Sequence, residues 1–267
     1  MSLNLRNGAT GENWAGMVPL IRAVGPDVLL VQEAVGWYTP DDPGITPNEQ
    51  LITAGHDLEM RGKTAPSRTG FHTGIFLDRT AVNWGEWITK YNHTSLHGHA
   101  ELTVGVPGLS EPLAVISAHL TPYSARTAAE EAAVLVARAH RAGGLGLIAG
   151  DINHIPPGDE PPPWDEIPAH DRSARSVVSD PELRPDHSVG YTLARGRLVD
   201  VAGHLADIRS DPSLRRWTGH VGKVRTDQVH LTERLVPALV DYWTVPMEPW
   251  SDHDGVVVTL DVGQLAG

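Results

Sequence analysis

Residues 26–33, with the sequence Pro-Asp-Val-Leu-Leu-Val-Gln-Glu, form the segment that says most about the fold. The apolar run from Val28 to Val31 lacks the alternation of a half-exposed strand, and it predicts a strand buried on both faces. Strands of this kind lie inside layered α/β proteins, which commonly build their sites from polar side chains at strand ends. Glu33 follows the run directly, so this segment predicts both an inner layer of the fold and a candidate site residue.

The segments around this strand alternate between extended and helical patterns. Residues 3–6 predict a short strand, and apolar residues spaced i, i+3, i+4, i+7 between Trp14 and Ile21 predict a helix that Gly25 ends. Residues 36–70 are rich in proline, glycine and polar side chains. They predict a long excursion with little regular structure, in which a short helix is possible.

The rest of the chain is rich in strands. A helix is predicted over 125–141, with Ser124 as its N-cap, and another over 198–205. Residues 155–190 hold proline runs and many charges, and they predict a second loop-rich excursion. No internal repeat divides the chain, so we expect one domain over 1–267 with excursions at about 36–70 and 155–190. The remaining strands are predicted at 74–77, 82–84, 102–104, 113–116, 145–149, 224–231, 241–245 and 256–260.

Composition narrows the classes of function. The 267 residues include 21 Lys+Arg and 33 Asp+Glu, a net charge of −12, and no cysteine. The missing cysteines exclude disulfide scaffolds, cysteine-ligated zinc and thiol nucleophiles. The negative charge disfavours nonspecific polyanion binding and suits a protein that gathers carboxylates around a cation. Because neither a membrane segment nor a signal peptide is recognisable, we expect a cytoplasmic protein, and no protein partner is evident.

Polar residues at the ends of the predicted strands form the candidate site. Asparagine, aspartate and glutamate offer the oxygen ligands that Mg²⁺ prefers, and a histidine oriented by an aspartate suits acid–base work near neutral pH. Each residue alone also has an ordinary structural explanation as a turn, cap, core or surface residue. The residues are Asn4, Glu33, His119, Asp151, Asn153, Asp227, Asp252 and His253.

Short blocks of sequence contain these residues. Beyond residues 26–33 they are Leu3-Asn4-Leu5-Arg6, Val115-Ile116-Ser117-Ala118-His119-Leu120, Gly150-Asp151-Ile152-Asn153, Arg225-Thr226-Asp227-Gln228-Val229 and Ser251-Asp252-His253. In kind and in order, the blocks resemble those of the endonuclease/exonuclease/phosphatase superfamily, the DNase I-like metal-dependent phosphoesterases. Thr226, Gln228 and Ile152 depart from that pattern. So does the lack of an evident Arg- or Tyr-bearing strand motif between residues 74 and 102.

The resemblance implies a fold and a chemistry. The fold would be of the α/β (α+β) class, a four-layer αββα sandwich of two packed, mostly antiparallel sheets with helices outside. The activity would be Mg²⁺-dependent hydrolysis of a phosphate ester by in-line attack of water, with Mn²⁺ or another divalent cation able to substitute. Within this chemistry we expect a phosphodiesterase or nuclease-type reaction.

The resemblance also implies roles for individual residues. Asn4, Glu33 and Asp252 would hold or support the metal. His119, Asp151, Asn153, Asp227 and His253 would be catalytic, with His253 and Asp151 both candidates for the general base. Arg6, His154 and Arg225 would contact the substrate.

The substrate and the catalytic competence stay open at the level of sequence. A phosphomonoesterase acting on a small phosphorylated metabolite or lipid headgroup is one alternative, and a non-catalytic binding member of the same fold is another. An unrelated α/β protein would instead place the candidate residues more than ~10 Å apart, since catalytic partners need hydrogen-bond reach. Nucleic acid is a possible substrate without an obvious basic patch, because there are only three lysines and one adjacent arginine pair, Arg215-Arg216.

Overall fold

The computed structural model describes residues 1–40, 45, 48–179 and 182–265, and it is built around two six-stranded sheets. The helices are α1 (Glu12–Val24), α2 (Glu49–Asp57), α3 (Ala125–Ala139), α4 (Ala169–Arg175), α5 (Ser188–Arg195) and α6 (Val201–Arg209). The strands are β1 (Ser2–Asn4), β2 (Val28–Gln32), β3 (Arg61–Ala65), β4 (Thr73–Leu77), β5 (Asn83–Ile88), β6 (His99–Gly105), β7 (Leu113–His119), β8 (Gly146–Asp151), β9 (Ser176–Ser179), β10 (Glu182–Pro185), β11 (Leu198–Asp200), β12 (Asp227–Thr232), β13 (Leu239–Val245) and β14 (Gly255–Leu260).

Both large sheets are mixed but mostly antiparallel. The first has the strand order β13-β14-β1-β2-β4-β3, and the second has the order β11-β12-β8-β7-β6-β5. Within each sheet the parallel pair is central, β1 with β2 in the first and β7 with β8 in the second. The antiparallel pair of β9 and β10 forms a small separate sheet.

The two sheets pack face to face, and helices cover their outer faces. On β2, Leu30 packs between the sheets, whereas Leu29 and Val31 pack against the cluster beneath α1 and α2. The strand is therefore buried on both faces, as its apolar run predicts. On the other side, α3 and α5 pack on the second sheet through residues such as Leu135 and Leu193. The layer order is helix, sheet, sheet, helix, which confirms the predicted αββα sandwich.

The structure differs from the prediction in three segments. Both segments predicted as loop-rich excursions contain helices and strands, and one predicted helix begins later than expected. Residues 36–70 contain the possible short helix, α2, and also an unpredicted edge strand, β3, that pairs with β4. Residues 41–44, 46 and 47 of this stretch lie outside the described part. Residues 155–190 contain α4, β9, β10 and the start of α5. The helix predicted over 198–205 begins only at Val201, because residues 198–200 pair with β12 as a strand. None of the helices in the described part is long and apolar enough to cross a membrane.

Candidate active site

Strand register brings the acidic and histidine side chains of the second sheet together. Asp151, at the end of β8, is paired with His119 on β7 and with Asp227 on β12. Three neighbouring strands thus place one site residue each at the same edge of the sheet. Gly150 makes the tight contact between β7 and β8 possible, because a Cβ atom there would lie 1.9 Å from the carbonyl oxygen of Ala118.

Asn4 joins the first sheet to this edge. Its side-chain Nδ2 donates to Asp151 Oδ2 at 3.1 Å and to Glu33 Oε1 at 3.3 Å. Its Oδ1 accepts from the backbone N–H of Arg6 at 2.9 Å. Since Asn4 is fully buried, its amide fixes the two carboxylates relative to each other. In this arrangement Asn4 orients Glu33. That Asn4 itself is a metal ligand stays a prediction.

The backbone around the site is held in an uncommon conformation. Arg6, Asn7, Glu33 and Asn153 all have positive φ values, of 47°, 56°, 53° and 63°. Left-handed backbone is costly for residues other than glycine, least so for asparagine, and it concentrates at functional sites. The side chain of Glu33 accepts from the backbone N–H of Asn7, through Oε2 at 2.9 Å.

His253 enters the site from the segment before β14. Its Nδ1 lies 2.8 Å from Asp227 Oδ2, and its Nε2 lies 4.0 Å from Asp151 Oδ2. Burial alone would lower the pKa of His253, but the adjacent carboxylates of Asp227 and Asp151 raise it, so the imidazole is cationic at neutral pH. The pKa of Asp151 is raised, chiefly by burial. The segment before β14 is attached to β1 through Ser251, whose hydroxyl donates to the backbone carbonyl of Asn4 at 2.9 Å.

His119 lies on the opposite side of Asp151, with its Nε2 3.7 Å from Asp151 Oδ2. Its ring stacks on that of His97 at a centroid distance of 4.3 Å, and Phe71 contacts both rings edge-on. Burial, reinforced by His97 and His253, lowers the pKa of His119 well below its usual range, so the ring is neutral. Sequence reasoning missed Phe71, and it considered His97 only together with His93 and His99, as a metal-binding group that lacks an acidic or cysteine partner at a fixed spacing. The only signal was the recurrence of histidine at 93, 97 and 99.

Asn153 is held from several sides directly after β8. Its backbone N–H donates to Asp151 Oδ1 at 3.0 Å, and its Nδ2 donates to the carbonyl of Leu120 at 2.9 Å. Arg175 donates to its backbone carbonyl at 2.8 Å and lies 3.4 Å from its Oδ1. Sequence reasoning missed Arg175, which belongs to none of the blocks. The contact of Asn153 with water or substrate stays a prediction.

Solved structures share this architecture along nearly the whole chain. TDP2 from D. rerio, in a structure complexed with single strand DNA product, gives a TM-score of 0.65 at 16% sequence identity, covering 97% of each chain. An AP endonuclease from Archaeoglobus fulgidus gives 0.62 at 16% identity, covering 98% of each chain. A 3'-5' exonuclease from Neisseria meningitidis gives 0.61 at 16% identity, covering 97% of this chain and 99% of that chain.

The chain has the DNase I-like fold. No protein-family model and no curated protein matches the sequence. Identities of 16% establish the fold, which agrees with the resemblance of the sequence blocks, whereas the chemistry has to be argued from the site itself.

Within this DNase I-like fold, the three predicted substrate-binding residues lie in different environments. Arg6 is half exposed, and its Nε lies 3.7 Å from Asp252 Oδ1 at the rim of the site. His154 is buried, and its ring lies 2.9 Å from the carbonyl of Thr121. Arg225 is also buried, with its guanidinium paired to two aspartates. His154 and Arg225 are therefore not brought to a surface that a substrate reaches, and their contacts are with the protein itself.

The acidic cluster suits a divalent cation. Among the described residues, Glu33, His119 and Asp151 form one group of potential ligands, and Asp151, Asp227 and His253 form another, with the ligand atoms of each group within 4.8 Å of one another. Buried Oδ1 of Asp227 has no hydrogen-bond partner in the described part of the chain. Glu33, Asp151 and Asp227 together supply a set of carboxylate oxygens, which are the donors that hard divalent ions prefer. Asp252 belongs to neither group, and its support of a metal stays a prediction.

Proposed function

We propose that this protein is a divalent-metal-dependent phosphodiesterase, with Mg²⁺ as the natural cation. The observation that supports it most strongly is the continuous chain of contacts from Glu33 through Asn4 to Asp151, with His253 bridging Asp151 to Asp227. Every residue in this series of contacts has a side chain that can bind a metal, transfer a proton or donate a hydrogen bond during phosphoester hydrolysis. Their separations of 2.8–4.0 Å argue against the alternative of an unrelated fold with scattered residues.

His253 would bind the phosphoryl group as a cation. Asp227 fixes its ring through Nδ1, so Nε2 is directed to the space beside Asp151. A proton on Nε2 would donate a charge-assisted hydrogen bond to a phosphoryl oxygen, where negative charge grows during reaction.

Asp151 would accept the proton of the attacking water. Of the two candidates for the base, His253 already carries its proton between two carboxylates. Asp151 has a raised pKa and lies within 4.0 Å of both His119 and His253. Its two oxygens are oriented by the N–H of Asn153 and the amide of Asn4. His119, neutral and 3.7 Å away, would donate a hydrogen bond toward the phosphate or the leaving group.

A cation bound by Glu33, facing His119 and Asp151, would supply Lewis-acid chemistry that neutralises charge on the phosphoryl oxygens. The protein's part is to hold these donors in place before binding, through Asn4 and the N–H of Asn7. Because the site gathers negative charge, we expect the affinity for phosphate to depend strongly on the occupancy of the metal position.

We propose single-stranded DNA as the first substrate class to test. The D. rerio TDP2 structure was obtained with single strand DNA product, and its fold covers 97% of this chain. The net charge of −12 and the scarcity of lysine disfavour tight binding to long duplex DNA, since such binding rests on phosphate contacts from lysine and arginine. A short, flexible strand needs fewer of those contacts.

A substrate panel tests this proposal. With Mg²⁺ or Mn²⁺, purified protein should cleave a single-stranded oligonucleotide and bis-p-nitrophenyl phosphate, and it should cleave p-nitrophenyl phosphate and phospholipids more slowly. Faster turnover of the monoester would instead support a phosphomonoesterase. Metal binding by calorimetry without turnover on any substrate would support a non-catalytic binding protein.

A further inference from the structure

Arg175 connects the segment 155–190 to the centre of the candidate site. It is the last residue of α4 and is only 6% exposed. Its Nε donates to the backbone carbonyl of Asn153 at 2.8 Å, and its Nη2 lies 3.4 Å from Asn153 Oδ1. One guanidinium therefore contacts the backbone and the side chain of the same site residue, a two-pronged contact that suits the planar fork of arginine.

The guanidinium is itself held in place within the segment. The carboxylate of Asp171, one helical turn earlier, lies 3.8 Å from Nη1. The backbone carbonyl of Arg175 accepts from the backbone N–H of Asp186 at 2.8 Å. The Nδ1 atom of His187 lies 3.0 Å from the carbonyl oxygen of Ile155. Both ends of the segment are thus fastened near Asn153, and Arg175 is fixed by more than its contact with that residue.

The geometry of Asn153 explains why such a contact matters. With φ at 63°, Asn153 has a left-handed backbone that has to be held by its surroundings. Its N–H orients Asp151 at 3.0 Å, so a change in the backbone of Asn153 would move a donor away from that carboxylate. Arg175 contacts the other end of the same residue, at its carbonyl.

We propose that Arg175 is a positioning residue for hydrolysis, which keeps Asn153, and through its N–H the carboxylate of Asp151, in the reactive arrangement. This inference rests on the proposed phosphodiesterase function. It gives segment 155–190 a role in turnover as well as in shape. Because Arg175 is buried and its guanidinium contacts protein groups, its loss should alter the rate of the chemical step more than the binding of substrate.

Kinetics of Arg175→Ala and Arg175→Lys test the proposal. Removal of a residue that orients a site residue typically lowers activity by roughly 10–100-fold. We therefore expect kcat of Arg175→Ala to fall by that factor while KM changes by less than about threefold. Lysine keeps the charge and can reach one acceptor, so Arg175→Lys should recover part of the loss. Arg195→Ala, an exposed change on α5, is the matched control and should keep the wild-type kcat.

A double variant separates positioning from general damage to the fold. If Arg175 acts by positioning the carboxylate of Asp151 through the backbone of Asn153, then Arg175→Ala should add little to the loss already caused by Asp151→Ala, which removes that carboxylate. An unchanged kcat in Arg175→Ala, or fully multiplicative losses in the double variant, would overturn the proposal. Arg175→Lys serves the same comparison if the alanine variant does not fold.

A spectroscopic measurement keeps this inference distinct from the proposed function. In ¹⁵N-labelled protein, the side-chain amide of Asn153, assigned by its absence in Asn153→Asp, should shift in Arg175→Lys and stay in place in Arg195→Ala. If wild-type protein hydrolyses none of the substrates, the proposed function fails, and this resonance still decides whether Arg175 holds Asn153. A resonance that does not move in Arg175→Lys would refute the contact.

Discussion

Asp151 is the residue at which the contacts of the site converge. It accepts hydrogen bonds from Asn4 and from the backbone of Asn153, and it lies within 4.0 Å of both His119 and His253. These partners come from both sheets and from the segment before β14. A single buried carboxylate therefore links the elements that form the site, which is why its environment is sensitive to small shifts.

Glu33 is the residue at which metal dependence is most directly tested. Glu33→Gln removes a charged oxygen donor and keeps the size of the side chain. Its amide oxygen can still accept from Asn4, whereas the hydrogen bond from the N–H of Asn7 is lost. We expect the concentration of Mg²⁺ or Mn²⁺ needed for half-maximal activity to rise at least about tenfold, as titration of activity against metal would show.

The control for Glu33 is Glu59→Gln, which changes an exposed glutamate paired with Arg22 on the surface. It should leave the metal titration as in the wild type. An unaltered titration in Glu33→Gln would show that this carboxylate does not hold the cation, and the assignment would move to Asp151 and Asp227.

At the scale of elements, the inner strands were predictable and the outer ones less so. The run from Val28 to Val31 is apolar because both faces are buried, and this leaves a signal in the sequence itself. Strand β3 has the sequence Arg-Gly-Lys-Thr-Ala, and its conformation depends on hydrogen bonds to β4 rather than on its own composition.

Some residues of the candidate site could likewise be predicted from the sequence, and others could not. Residues at strand ends could be predicted because register places them side by side, as it does His119, Asp151 and Asp227. Arg175 could not be predicted, since its contact with Asn153 depends on how α4 packs and no local pattern records it. Arg225 belongs to a recognisable block, yet its partners are supplied by distant segments.

Arg225 joins elements rather than contacting the surface. Its guanidinium donates to Asp159, in segment 155–190, and to Asp200, at the end of β11, at 2.7–2.8 Å. Arg225→Met would leave these carboxylates without their buried partner, and we expect a loss of about 3–5 kcal/mol in the free energy of unfolding. Urea unfolding at neutral pH measures this loss.

A control variant and a kinetic measurement distinguish a structural role of Arg225 from a substrate-binding role. Arg234→Met breaks an exposed pair with Glu111 and should cost less than about 1 kcal/mol. A raised KM in Arg225→Met with unchanged stability would favour the substrate-binding role that the sequence blocks imply.

At the scale of the whole molecule, buried neutral histidines should make the protein sensitive to acid. Burial lowers the pKa of His99 and of His230 to about 4, from 6.5 in the unfolded chain. Between these values the unfolded state binds more protons, so the stabilisation is complete above pH 6.5 and is lost as the pH falls toward 4. As the pH falls from 7 to 5, the burial of each histidine should lower the free energy of unfolding by about 2 kcal/mol.

Urea unfolding at pH 7 and pH 5 measures this dependence. His230→Gln should reduce the difference in unfolding free energy between the two pH values, whereas His56→Gln, at an exposed position, should not. Equal pH dependence in the wild type and His230→Gln would contradict the burial of a neutral imidazole at residue 230.

The overall charge of −12 takes on a specific meaning once the fold is known. Glu33, Asp151 and Asp227 bring part of it to one edge of the sandwich, beside a single cationic histidine. A bound divalent cation would offset that charge and admit a phosphate that the bare site repels. The acidity of the chain is therefore compatible with phosphate-ester chemistry that depends on added metal.

Metal-dependent phosphodiesterase activity is tested by the rate of bis-p-nitrophenyl phosphate hydrolysis with Mn²⁺ or Mg²⁺, in the wild type and in His253→Ala, before and after EDTA. We predict turnover that requires the metal, stops with EDTA and returns when the metal is restored. His253→Ala should be slower by at least about 100-fold, since positioned proton donors and acceptors contribute on the order of 10²–10⁴ in rate. Absence of turnover in the wild type, or full activity in His253→Ala, would contradict the account.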